Sequence, residues 1–176
     1  MSGHVPLAVL FDLDGTLIDT APEFVAIGLR LRQAAGLPAV APEAIRSRVS
    51  DGAIGMVAAA LEIETADPTF EQWRQRFLTD YEKGLGQHSE PYPGLRALVS
   101  ALGVSDIKWG VVTNKLSRFA HPLMEKMDFN PPADIVITPD DVSHPKPHPE
   151  SLILACKRLN CPPDRSVFVG DHRRDI

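Results

Sequence analysis

Four short stretches of nearly unbroken apolar residues stand out along the chain: PLAVLFD at 6–12, WGVVT at 109–113, DIVIT at 134–138 and SVFVG at 166–170. A strand with no polar alternation is buried on both faces, as strands are in a parallel sheet between two helical layers. Between the later runs the spacing becomes that of helices: 94–102 halts before Gly103, 116–127 is amphipathic, and 149–159 ends before Asn160 and Pro162. Strands alternating with helices predict an α/β fold with a Rossmann-like parallel sheet core.

Residues 21–90 carry no clear strand signal, and a structureless loop of that length is implausible. Helix punctuation divides the stretch instead. Thr20 with Glu23 reads as a capping box, Pro22 suits a first turn, and Gly36 and Pro38 end that helix. A second helix starts near Pro42 and breaks at Ser50-Asp51-Gly52, a third covers 53–61, and Asp67-Pro68 caps a fourth running toward Gly84. The expected organisation is therefore an α/β core made of 1–19 and 91–176, with an inserted all-helical cap over 20–90. The connections 19–21 and 88–93 would be its hinges.

Of the 176 residues 44% are apolar, enough for a core, and the net charge is −5 without any basic run. That balance argues against nucleic acid or an anionic membrane as partner, since both reward clustered Lys and Arg. The apolar stretch near the N-terminus is too short for a membrane span or a secretory core, so a cytoplasmic location is expected. Cys156 and Cys161 have neither CxxC spacing nor nearby His ligands, and read as reduced, partly buried thiols.

Against that background the end of the first strand is distinctive. Asp12 and Asp14 lie two residues apart as the chain leaves the sheet, where extended spacing would turn both carboxylates to one side. Gly15 lets the backbone turn and bring N–H groups toward an anion. One carboxylate can attack while its neighbour handles protons. A bare D-x-D is common on protein surfaces, but its place after a buried strand is not. The nonapeptide DLDGTLIDT at 12–20 resembles the first motif of the haloacid dehalogenase superfamily.

That resemblance implies the haloacid dehalogenase fold, Mg²⁺ as cofactor and phosphate-monoester hydrolysis through an aspartyl phosphate. Three further strand ends match the remaining motifs in order. Thr113 and Asn114 follow WGVV and offer a hydroxyl and an amide to phosphoryl oxygens. Lys146, in the proline-stiffened HPKPHP, resembles the third motif, whose Lys neutralises the phosphoryl group and the nucleophile. Gly170-Asp171 and Asp175 resemble GDxxxD. The resemblance assigns Asp12 as nucleophile, Asp14 as general acid and base, and Asp12, Asp171 and the Asp14 carbonyl as metal ligands. Asp175 would hold the site's geometry from behind them.

The helical insert resembles that of the phosphoglycolate phosphatase group. More narrowly, SDGAIGMVAAA, WGVVTNK and ESLILACKRLN look like the bacterial N-acetylmuramic acid 6-phosphate phosphatases of cell-wall recycling. The implied partner is a small phosphorylated metabolite, a sugar phosphate, handled by a monomer or weak homodimer. Phosphoglycolate as substrate, a phosphosugar mutase and an inactive fragment are the alternatives, the last because the family pattern places a further strand and helix after the fourth motif. Arg46 and Ser50, where a cap helix breaks, are candidates for contact with the leaving group. Most of His4, His88, His121, His144, His148 and His172 should face solvent, with His144, His148 and His172 the ones placed to approach the mouth of the site and touch substrate. Trp73 and Trp109 suit packing better than ligand stacking.

Overall fold

A computed structural model of the chain describes residues 5–176, so the expectation for His4 lies outside the described residues. Two compact units form: one comprises the chain up to Asp19 together with Pro91–Ile176, the other Thr20–Glu90.

The first unit is α/β. It begins with β1 (Ala8–Phe11), and a two-residue strand β2 (Ile18–Asp19) lies at its exit point. The second unit follows, built from α1 (Ala21–Ala34), α2 (Glu43–Arg46), α3 (Gly52–Leu61) and α4 (Phe70–Gly84). The chain returns through β3 (Glu90–Pro91), then α5 (Leu95–Val104), β4 (Lys108–Val112), α6 (Ser117–Met127), β5 (Ile135–Ile137), α7 (Glu150–Arg158) and β6 (Ser166–Val169). Every pairing in the main sheet is parallel and its order is β5-β4-β1-β6, so the uninterrupted apolar runs form the sheet their pattern implied.

Both faces of the sheet's inner strands are covered. Ala8, Leu10, Val112 and Ile137 pack with Ala155, Cys156, Leu159 and Cys161 on one side. The opposite parity places Phe11 edge-on to Trp109, which also meets Phe129, so this tryptophan packs as expected. The two cysteines are free and buried. β6 is the outer strand of the described sheet, and Val167 and Val169 on it are 46% and 40% exposed. No described helix is long and apolar enough to cross a membrane.

Four expectations need correction. Gly103 does not stop α5, which runs on to Val104; a Cβ there would sit 2.8 Å from Pro131, so the glycine serves close packing. Thr20 makes no capping bond, and Glu23 does not reach back to close a box. Glu23 is buried and accepts the N–H groups of Gly86 and His88 within its own unit, because a buried carboxylate is better satisfied by two unpaired amides than by one. Asp67 lies two residues before the cap position: it takes the N–H and O–H of Thr69 in a local turn, and α4 begins at Phe70. The second helix of the insert is a single turn, followed by a 3₁₀ turn at Val49–Asp51.

Candidate active site

The sheet order puts β1 in the middle with β4 on one side and β6 on the other, and chain order reverses between β1 and β6. Such a switch point opens a crevice at the carboxyl ends of the strands. Phe11 is in register with Val111 and Val169, so the residues just past all three strands emerge side by side. Asp12 donates its N–H to Val169 at 2.8 Å, and Thr113 donates to Ile137 at 3.0 Å, which extends the ladder to the first residues that carry chemistry.

Lys146 is the central cation of this crevice. Its side chain is 3% exposed, and Nζ lies 2.9 Å from Asp12 Oδ1 and 2.7 Å from Asp175 Oδ1. Asn114 Nδ2 donates to the Lys146 carbonyl at 2.8 Å, so the end of β4 anchors the backbone that presents the lysine. Asp175 is fixed from behind by the His172 N–H at 2.9 Å. Asp171 accepts the Thr16 hydroxyl at 2.9 Å. Carboxylate oxygens of Asp12, Asp171 and Asp175 lie within 4.8 Å of one another. This all-oxygen, anionic donor set fits a hard divalent cation such as Mg²⁺, which needs only a few carboxylates besides its waters.

Burial pushes the Asp12 carboxyl up from 3.8 to about 6; the Lys146 charge and hydrogen bond oppose that rise, and Asp175 adds to it. A carboxyl raised in the fold favours folding when protonated, so its contribution is complete below pH 3.8 and is lost as pH rises through about 6. A shift of about two units corresponds to on the order of 3 kcal/mol. In chelator, Asp12→Asn should therefore melt several degrees above the wild type at pH 7.5, with the gap closing near pH 4. Thermal melts of both proteins across that range check it.

Asp14 takes a different cation. Its oxygens lie 2.9 and 3.2 Å from Lys115 Nζ, and the Lys115 side chain is 5% exposed. Each aspartate of the D-x-D is thus held by its own lysine. Lys115 N–H in turn donates to Thr113 Oγ1 at 3.1 Å, leaving the buried Thr113 hydroxyl its own proton to donate. Lys115 and Thr16 are members of the site that the sequence reading left without roles. The signal for Lys115 was present in WGVVTNK, where a lysine follows a strand end by three residues.

Two glycines are dictated by the carboxylates they face. At Gly15, which has φ +85, a Cβ would lie 2.5 Å from Asp171 Oδ2; at Gly170 it would lie 2.3 Å from Asp175 Oδ2. Gly170→Ala should push Asp175 off Lys146 and release the cation. We expect a fall of about 10²-fold in kcat/KM, the scale of a 1 Å misplacement, readable by steady-state kinetics.

Asp12, Asp14, Thr113, Asn114, Lys146, Asp171 and Asp175 all belong to the α/β unit. Arg46 is the last residue of α2 and Ser50 lies in the 3₁₀ turn, both in the helical unit. Among the histidines, His144 and His148 are exposed and His172 is half-buried, its ring accepting the Arg174 N–H.

Comparison with known proteins places this geometry. The model of the haloacid dehalogenase-like hydrolases matches residues 9–176. The N-acetylmuramic acid 6-phosphate phosphatase of Pseudomonas aeruginosa is 46% identical over 169 residues, covering 96% of this chain and 75% of that protein. A phosphoglycolate phosphatase of Xanthomonas campestris is 34% identical over 171 residues, covering 97% and 77%. Among solved structures, a predicted phosphoglycolate phosphatase from Haemophilus somnus superposes with a TM-score of 0.82 at 24% identity, covering 97% of this chain and 79% of that one.

Proposed function

The chain belongs to the haloacid dehalogenase-like hydrolases and is a phosphoric monoester hydrolase, and from that premise we propose that it cleaves N-acetylmuramic acid 6-phosphate through a phosphorylated Asp12. The observation that carries the mechanism is the pairing of Lys146 with Asp12 in a buried crevice at 2.9 Å. A carboxylate that burial alone would protonate is kept able to attack by a fixed positive charge.

In this reading an Asp12 oxygen bonds to phosphorus as the bond to the sugar oxygen breaks, and Asp14 delivers a proton to the departing alkoxide. Asp14, then a carboxylate, takes a proton from the water that attacks the aspartyl phosphate, which restores Asp12 and releases inorganic phosphate. Lys115 holds Asp14 in place through both of its oxygens. Lys146 and the Thr113 hydroxyl face the phosphoryl oxygens, where a loose phosphoryl-transfer transition state gains most from fixed charge and donors. Asp12 and Asp171, with the Asp14 carbonyl, would hold Mg²⁺, and Asp175 would brace Lys146 beside them. When bound, the ion neutralises charge on the phosphoryl oxygens. We further propose that the helical unit contributes selectivity for the leaving group through Arg46 and Ser50; an unchanged kcat/KM in both alanine variants would sink that part of the reading.

The substrate assignment rests on the 46% identity to a protein bearing that activity, against 34% for the phosphoglycolate phosphatase. Mg²⁺-dependent phosphate release from N-acetylmuramic acid 6-phosphate and from 2-phosphoglycolate tests it. A kcat/KM at least tenfold higher for the sugar phosphate is expected; the reverse order would transfer the assignment to phosphoglycolate. Conversion to an isomeric sugar phosphate without phosphate release would mark a mutase.

A further inference from the structure

The loop that presents the buried Lys146 carries a second cluster of donors, and its two histidines are exposed. His144, His148 and Glu150 bring ring nitrogens and a carboxylate oxygen within 4.8 Å of one another. His144 Nδ1 lies 3.0 Å from Glu150 Oε2, and His148 Nδ1 lies 3.9 Å from the same oxygen. The two imidazoles are 4.8 Å apart between centroids. Tetrahedral Zn²⁺ with bonds of 2.0–2.1 Å sets its ligand atoms about 3.3 Å apart. The two observed separations bracket that value, so a metal would need only small side-chain rotations.

The carboxylate is held in advance. Glu150 Oε1 accepts the Ser143 N–H at 2.9 Å and Oε2 accepts the His144 N–H at 3.0 Å, the kind of outer support that orients metal ligands. Pro145, Pro147 and Pro149 alternate with the residues in between and lower the entropy of ordering the loop. Binding would displace the hydrogen bond between the His144 ring and Glu150, and His148 Nδ1 would give up the Glu150 N–H it accepts at 3.2 Å. The side chains of His144 and His148 are 67% and 53% exposed, so an ion can reach them from solvent.

We propose that His144, His148 and Glu150 form a surface site for a borderline divalent cation of the Zn²⁺ type, separate in ligand chemistry from the all-carboxylate cluster around Asp12. Two imidazoles and one carboxylate suit Zn²⁺ and leave at least one position for water, whereas the oxygen-only cluster suits Mg²⁺. The ion would tie positions 144, 148 and 150 into one ring on either side of Lys146, fastening the segment whose lysine pairs with Asp12. This site does not depend on the reaction proposed above.

The test is calorimetric titration of the whole chain with Zn²⁺ in a large excess of Mg²⁺, which occupies the carboxylate cluster. Saturable one-to-one binding in the micromolar range is expected, along with a rise of several degrees in Tm on adding Zn²⁺. His144→Ala and His148→Ala should each weaken binding at least tenfold and remove the Zn²⁺-dependent rise in Tm, while Asp171→Asn keeps both. Circular dichroism and the zinc-free Tm of each variant establish that it is folded. Absence of saturable binding below millimolar Zn²⁺, or binding that both histidine variants retain at full strength, would overturn the proposal.

Discussion

Asp12→Asn is expected to lower turnover by about 10⁵-fold or more while the protein stays folded. An amide cannot form the acyl phosphate, and residues acting with a nucleophile contribute little once it is gone, so nothing nearby substitutes. Asp14 is engaged by Lys115 and is not oriented by Lys146. The loss cannot be assigned to unfolding, because Asp12 is a charge the fold holds at a cost: burial pushes its carboxyl up to about 6. Removing it should raise Tm in chelator at neutral pH, so activity and stability move in opposite directions. Steady-state kinetics beside thermal melts read both.

Lys146→Met should lose on both counts. The lysine is the common partner of Asp12 and Asp175, at 2.9 and 2.7 Å, in a pocket where its own side chain is 3% exposed. Methionine fills much of the same volume but leaves two carboxylates facing each other without a cation. Breaking a buried ion pair in this way costs about 3–5 kcal/mol, and loss of one fixed charge on the transferring group costs about 10³-fold in kcat. Without Lys146 the Asp12 carboxyl also rises further, since the lysine does more than the Leu13 N–H to oppose burial there. Combining Lys146→Met with Asp12→Asn should recover part of the lost stability and none of the activity. That partial recovery would show the stability cost to be electrostatic rather than a packing defect.

Much of this arrangement was legible in the sequence because its signals are local. A strand buried on both faces must be apolar where it is covered, and β1 throughout and β4 beyond the exposed Lys108 are, so their carboxyl ends could be located and the residues beyond them read as site candidates. DLDGT begins just past β1, Thr113 and Asn114 just past β4 and GDxxxD just past β6, while the proline-flanked Lys146 lies in the loop between β5 and α7. What stayed hidden depends on contacts distant in sequence. Lys115 meets Asp14 across 101 positions, and Thr16 meets Asp171 across 155; neither residue type advertises such a partner. Gly103 looked like a helix stop because a glycine that ends a helix and one that admits a neighbouring proline are the same letter. Glu23 matched a capping box in spacing, yet the amides of Gly86 and His88 offered it a better-satisfied burial. Local rules propose a partner for each polar group, and tertiary packing decides between that partner and a remote one.

The most direct test of the account is to mix the chain with substrate and Mg²⁺, quench in acid within the first turnover, and map the mass of one added phosphoryl group by peptide sequencing. The account predicts the label on Asp12, with more of it retained in Asp14→Asn, where hydrolysis of the acyl phosphate lacks its base. Phosphate release with no labelled peptide in either protein, or a label on any other residue, would contradict it.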